Sequence, residues 1–263
     1  MALEPPKTPR SVEGVVDLMR KLRGPDGCPW DRVQTHASIA PYCLEEAYEV
    51  VDAIDRGDDA DLRDELGDLL LQVVFHAQMA EARGAFTLDD VCEALVTKMV
   101  RRHPHVFGEA EGVDWEAAKA AERAEKGRKT GEDDSALSGV PVGLPALTRA
   151  EKIGKRAGRA GFDWAERRDV IAKIREELDE VEAALDGPED ELAAEVGDVL
   201  FACAMLTRKL GLQGETLLRA ANEKFARRFE YLEERAAESG RAFADHSLVE
   251  LEAFWTQAKQ AGL

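Results

Sequence analysis

Five short motifs occur twice in this chain, in the same order, and that duplication limits what it can fold into more than any other feature. GCPWD at 27–31 is answered by GFDW at 161–164, LEEAYEV at 44–50 by REELDEV at 175–181, and ELGD at 65–68 by EVGD at 195–198. Further on, KMVRR at 98–102 is matched by KFARR at 224–228, and WEAAK at 115–119 by WTQAK at 255–259. The four tryptophans therefore fall into two pairs, Trp30 with Trp164 and Trp115 with Trp255. Chance supplies one such match but not five in series, so the chain reads as two copies of one structural unit. A length of 263 residues with 44% hydrophobic content is enough for two cores.

Apolar residues recur at three- and four-residue spacing over 12–22, 36–55, 62–80, 88–101, 170–185, 192–210, 215–236 and 247–258. Strand alternation is nowhere sustained, which predicts an all-α fold. The run Gly127 to Pro145, GRKTGEDDSALSGVPVGLP, is rich in Gly, Pro, Ser and charge. Read as a linker, it separates an N-terminal unit at 1–126 from a C-terminal unit at 146–263. A net charge of -18 argues against general nucleic-acid binding, which needs basic surface against phosphate. No stretch approaches the ~18 apolar residues of a membrane span. The start, MALEPPKTPR, lacks the apolar core of a secretory signal, so the expected location is cytoplasmic. Cys28, Cys43, Cys92 and Cys203 form no CxxC pair and are expected as buried free thiols.

The repeated acids carry the chemistry. In each half an ExxE pair precedes an ExxD pair: Glu46 and Glu49 before Glu65 and Asp68, then Glu177 and Glu180 before Glu195 and Asp198. Helical residues three apart share a face. Glu49 and Glu65 are each about 8 residues from Gly57, and Glu46 and Asp68 about 11, so a helix hairpin turning at that glycine brings all four carboxylates to one level. In the second half the same construction centres between Gly187 and Pro188. Four carboxylates so placed repel one another unless cations sit among them. Oxygen ligands without Cys or His suit Mg²⁺ or Mn²⁺ better than Zn²⁺. One ExxE alone reads as a solvated helix face, but symmetric spacing present twice favours a ligand set. Gly67 and Gly197 lie between the acids, where close approach of another helix or a ligand, or simple tight packing, would explain a helix-interior glycine. Along the 65–79 helix, Gln72 and His76 continue the acidic stripe, whereas Ala202 and Leu206 hold those positions in the second half.

Other metal readings fit less well. A di-iron bundle wants an ExxH motif beside the acids, and an EF-hand starting at Asp55 fails at Ala60 and Leu66. His103 and His105 flank Pro104 and read as a turn, and His246 reads as a loop residue before a helix.

Both halves follow the acids with a Lys and two Arg: Lys98, Arg101 and Arg102, then Lys224, Arg227 and Arg228. Taken alone these balance charge in an acidic chain, but beside a metal cradle they suit the outer phosphates of a nucleotide. Trp255 with Lys259 offers a ring to stack a base and a cation for phosphate, or else a core tryptophan closing a terminal helix.

Together, GCPWD, IAPYCLEEAYEVVDAI, LRDELGDLLLQVVFHAQMA and RRHPHVFG in the first half, with GFDW, EELDEV, EVGDVLFA and ANEKFARRF in the second, closely resemble the two-domain bacterial form of the MazG family of nucleoside triphosphate pyrophosphohydrolases. The resemblance implies a tandem repeat of two helical domains, four-helix-bundle-like, in an intertwined homodimer. It implies hydrolysis of NTP or dNTP to the monophosphate and pyrophosphate, in nucleotide-pool house-cleaning or (p)ppGpp-linked stress control. It implies Mg²⁺ held by Glu177, Glu180, Glu195 and Asp198, with Glu46, Glu49, Glu65 and Asp68 as the corresponding set. Lys173, Lys224, Arg228, Trp255 and Lys259 match nucleotide-contacting positions, with Lys98 and Arg102 their counterparts in the first half. Of the two sets, the second is expected to be the active one. The rival expectation is a non-catalytic helical dimer that binds a partner protein through solvated acidic faces.

Overall fold

The computed structural model describes residues 3–108, 122 and 135–263. Every regular element among them is helical. The chain divides into two compact units, Met1–Lys119 and Ala120–Leu263.

The first unit is built on a long helix hairpin. α3 (His36–Arg56) opens with a capping box, in which Thr35 accepts from the Ser38 amide and the Ser38 side chain accepts from Thr35 N–H. It ends at Gly57, whose φ of 69° lies in the left-handed region that glycine adopts at no steric cost. Asp58 then caps α4 (Asp59–Ala82), accepting from the Ala60 and Asp61 amides. The turn predicted at Gly57 is thus present, and α3 packs along α4. α1 (Val12–Arg23) lies on α4, so that Met19, Ile39, Val74, Phe75 and Met79 make one core. α2 (Pro29–Val33), α5 (Leu88–Arg102) and α6 (Pro104–Phe107) complete the unit. Pro104 starts a four-residue helix, and His103 Nδ1 lies 2.6 Å from the Met99 carbonyl, so the RRHPH stretch serves a helix end.

The second unit repeats the hairpin with different punctuation. α8 (Arg167–Ala184) opens on a Glu166/Asp169 capping box. α9 (Glu189–Lys209) opens on Pro188, with Glu189, Asp190 and Glu191 favourably placed in its first turn. Gly187 is not left-handed here, so proline and residues flanking it make the turn that Gly57 makes alone. α7 (Ala146–Arg159) packs on α9 and lies outside the segments read as helical from the sequence. Its contact face includes Gly154, where an added Cβ would lie 2.2 Å from Met205 Sδ. Leu147 and Ala150 also pack on that core, and the missing side chain at Gly154 lets α9 approach closely. Val170, Ala204 and Met205 form the core, with Trp164 and Leu147 against it. α10 (Gly214–Glu238), a short 3₁₀ turn at Phe243–Asp245 and α11 (Leu248–Gln260) finish the chain. His246 sits in the loop before α11, buried, between the Ser239 hydroxyl and the Ala242 carbonyl.

Two expectations are corrected. All four cysteines are free, but Cys92 on α5 and Cys203 on α9 are exposed, and Cys28 at the N-cap of α2 and Cys43 on α3 are only half-buried. The sequence also predicts one apolar stripe on α4 from Leu66, Leu69, Leu70, Val73 and Val74, but it is split: Val74 is buried, whereas Leu66 and Val73 are 49% and 42% exposed. Among the described residues, the proposed linker's Leu137, Ser138 and Gly139 carbonyls accept from the Arg156 guanidinium on α7. Residues 127–134 of that stretch, and the Trp115 to Lys119 copy of the WxxxK motif, lie outside the described residues. No helix among those described is long and apolar enough to cross a membrane.

Candidate functional site

Each hairpin gathers carboxylates from both of its helices. In the first unit Glu46 and Glu49 on α3 meet Glu65 on α4, and one oxygen from each lies within 4.8 Å of the others. In the second unit Glu177 and Glu180 on α8 meet Glu195 on α9 within the same limit. The fourth acid of each predicted set, Asp68 or Asp198, is exposed and stands outside these tight groups, one helical turn further along. Asp68 still acts on its neighbours, since its charge helps raise the pKa of both Glu46 and Glu65.

The electrostatics are those of a site short of positive charge. Burial, then the Asp68 and Glu49 charges, hold the Glu46 carboxyl above the usual carboxylate range, while a hydrogen bond from Gln72 works the other way. Burial and the surrounding acids raise Glu65 likewise. In the second cluster, sharing a hydrogen bond with Glu177 raises Glu180, followed by burial, against the nearby Lys173 cation. Crowded carboxylates that shift upward are relieved by a divalent cation, and a donor set made only of oxygen fits Mg²⁺ or Mn²⁺. The residues present therefore fit a hard divalent metal.

The surroundings of the two clusters differ. Gln72, buried at the α3–α4 contact, donates from its amide nitrogen to Glu46 Oε1 at 3.3 Å. Next to it, Cys43 Sγ lies 3.3 Å from His76 Nε2, and His76 Nδ1 lies 2.7 Å from His36 Nδ1 with the rings stacked. Burial and the neighbouring His36 push the His76 pKa down, and burial pushes the Cys43 thiol up. The sequence stripe indicates Gln72 and His76, but Cys43 and His36 meet them only across the hairpin; the seven-residue spacing of His36 and Cys43 on one face of α3 is the signal that could have found them. In the second unit the buried Glu177 is held by Lys173, 2.8 Å away, which also reaches Glu176 at 2.6 Å.

The predicted phosphate-side residues are placed as follows. Lys224 is exposed on α10, and half-buried Arg228, one turn on, lies over the Trp255 ring at 5.4 Å and donates to the Leu263 carbonyl at 2.8 Å. Phe225 packs on the other partner of that group, Trp255, at 5.1 Å, and Lys259 is exposed one turn along α11. Among the described residues no hydrogen bond or ion pair joins Lys224, Arg228, Trp255 or Lys259 to the acids of the second cluster. Lys98 and Arg102 are half-buried on α5. Tryptophan roles also diverge: Trp164 packs on its core, whereas Trp30 is 52% exposed and meets Tyr42 edge-on.

Comparison with known proteins agrees with this duplication. Residues 34–107 match the model of the MazG nucleotide pyrophosphohydrolase domain. Residues 155–225 match that of phosphoribosyl-ATP pyrophosphohydrolase. Each match contains one complete acid set. A nucleoside triphosphate pyrophosphohydrolase of Escherichia coli (strain K12) is 46% identical over 262 residues, covering 95% of this chain and 97% of that protein. The nucleoside triphosphate pyrophosphohydrolase/pyrophosphatase MazG of Thermotoga maritima is 43% identical over 247 residues, covering 94% and 95%. A third relative, a nucleoside triphosphate pyrophosphohydrolase of Mycobacterium tuberculosis, is 46% identical over 161 residues, 58% of this chain and 46% of its own.

Proposed function

The chain belongs to the MazG family of nucleoside triphosphate pyrophosphohydrolases, and from that premise we propose that it hydrolyses NTPs and dNTPs to the monophosphate and pyrophosphate with Mg²⁺, at the second acid cluster. The observation that carries this reading is the meeting of Glu177, Glu180 and Glu195 from two helices within 4.8 Å, with Lys173 the only cation paired to them among the described residues.

Glu177, Glu180, Glu195 and Asp198 would hold the metal, and Glu46, Glu49, Glu65 and Asp68 would form the matching cradle of the first unit. When bound, the divalent cation supplies Lewis acidity and positive charge against the phosphates. The protein's own groups do the rest. Glu180, the exposed acid of the three that meet, doubles as the general base. A water attacks the α-phosphorus in line, its proton passes to a Glu180 carboxylate oxygen, and the α–β P–O bond breaks with pyrophosphate leaving. Lys224, Arg228 and Lys259 offset charge on the departing phosphates, and Trp255 stacks the base. Lys98 and Arg102 take the phosphate side in the first unit. An intertwined homodimer would cover Leu66 and Val73 on α4 and Val196 and Leu200 on α9, all exposed within one chain. It would also bring a helix against Gly67 and Gly197, whose absent Cβ atoms meet nothing within 4 Å. Tight packing within the unit does not account for those glycines. A nucleotide-pool house-cleaning role in the cytoplasm fits substrates of this class.

The test is a panel of NTPs and dNTPs incubated with Mg²⁺ and resolved for products. Monophosphate and pyrophosphate in equal amounts are expected, with none after chelation. Diphosphate with inorganic phosphate, or no turnover with any nucleotide, would contradict the proposal and favour the non-catalytic binding module.

A further inference from the structure

The two clusters share a hairpin frame, yet the residue one turn before the first ligand differs in kind. Tyr42 stands four residues before Glu46, and Lys173 stands four before Glu177. Residues so spaced lie on one helix face. The Lys173 ammonium is 2.8 Å from Glu177 Oε1 and 2.6 Å from Glu176 Oε1. The Glu177 side chain is only 8% exposed, and that of Lys173 33%. The most buried acid of the second cluster is thus compensated by a tethered cation, on the carboxylate a metal ion would use. Tyr42 has no charge to offer, and Glu46 is held instead by the neutral Gln72 amide, which can stay in place whatever binds the outer oxygens.

Resting on the metal reading of this cluster, we propose that Lys173 is an exchangeable occupant of it. The lysine holds Glu177 in the metal-free protein, yields that carboxylate when a divalent cation arrives, and is released toward the phosphates of an incoming nucleotide. A compact charge on a flexible four-carbon stem suits this exchange better than a guanidinium fork, which would lock both carboxylate oxygens. The metal reaches its full set of ligands only in molecules whose ammonium has left, so its apparent affinity is lowered by the fraction in which Lys173 is engaged. Nucleotide phosphates draw the ammonium away and remove the competitor, so metal and nucleotide strengthen each other's binding, reciprocally. At the first cluster this position supplies no such coupling.

The test counts bound Mn²⁺ by electron paramagnetic resonance on the full chain carrying Glu49→Gln and Glu65→Gln, so that the signal reports the second cluster. In that background Lys173→Met should tighten nucleotide-free Mn²⁺ binding by roughly three- to tenfold. The further tightening given by an α,β-methylene NTP analogue should shrink in the same variant. A merely structural lysine would give the opposite sign, because its loss would loosen the cluster. Lys173→Gln, of similar reach and no charge, repeats the comparison if the methionine variant does not melt cooperatively. Unchanged or weaker Mn²⁺ binding in the neutral variants would overturn the exchange alone. Absence of Mn²⁺ from the second cluster in both parent and variants would overturn the metal reading and the exchange with it.

Discussion

The first unit compensates the half-buried Glu46 carboxylate with a neutral amide, and the second compensates the buried Glu177 carboxylate with a cation. Gln72 reaches Glu46 across the hairpin, from α4 to α3, whereas Lys173 reaches Glu177 along α8 itself. The positions equivalent to Gln72 and His76 are Ala202 and Leu206, so the second unit has apolar packing where the first has a polar chain running through Cys43 to His36. A duplicated fold has kept one electrostatic problem, three crowded acids, and met it in two ways. On the proposed metal reading, the first would leave its full negative charge for a cation, and the second would reduce that charge until the lysine is drawn off.

What the clusters share gives the largest expected effect. Both crowd three carboxylates, so if they hold the metal as proposed, saturating Mg²⁺ should raise the melting temperature by roughly 5–15 °C, from mass action at the sites. Withdrawal with a chelator should take pyrophosphate release to background. A melting curve indifferent to Mg²⁺ would remove the common premise of the comparison.

Where the clusters differ, the same substitution should have opposite signs in metal-free protein. Glu46→Gln removes a charge from a carboxyl whose pKa is raised in the fold. The sign follows from linkage: a raised carboxyl stabilises below its unfolded pKa and loses that contribution as pH rises through the folded value. At pH 7 the ionised form is therefore a cost, and the amide should raise the melting temperature by about 2–4 °C. Glu177→Gln instead strips Lys173 of a partner and should lower it by about 2 °C. Calorimetry at pH 7 in chelator measures both, and equal shifts would erase the distinction.

The smallest effect concerns the histidines. His76 has its pKa depressed by burial and by His36, so its contribution is present above the unfolded value of about 6.5 and is lost as pH falls through it toward the lower folded value. His76→Leu, which installs the residue of the second unit, should reduce the drop in melting temperature between pH 7 and pH 5 by roughly 1–3 °C. A drop of the same size in both proteins would show that the pair carries no such linkage.

How much of this could be read from the sequence varied with the range of the interaction. The hairpins were legible because Gly57 and the Gly187–Pro188 pair lie midway between matched acids, and helix geometry does the rest. α7 lay outside the segments read as helical, although Leu147, Ala150, Ile153 and Ala157 recur there at three- and four-residue spacing, because small residues and interspersed charges make that stripe thin. The acids were legible as four-membered sets, but the structure draws three together and leaves Asp68 and Asp198 outside the 4.8 Å groups, a distinction set by helix rotation rather than spacing. Lys173 was visible as a residue one turn before Glu177, but its engagement with that carboxylate is a matter of rotamer and burial. His36 escaped notice because its contact with His76 spans 40 residues.

The central claim is that the second cluster turns over nucleoside triphosphate while the first keeps an intact but subordinate cradle. It is tested most directly by pyrophosphate release from Asp198→Asn and Asp68→Asn proteins, each shown to be folded, at saturating Mg²⁺. The account predicts a loss of about a hundredfold or more for Asp198→Asn and turnover near that of the parent for Asp68→Asn. Full turnover by Asp198→Asn, with loss only when Asp68 is changed, would contradict it.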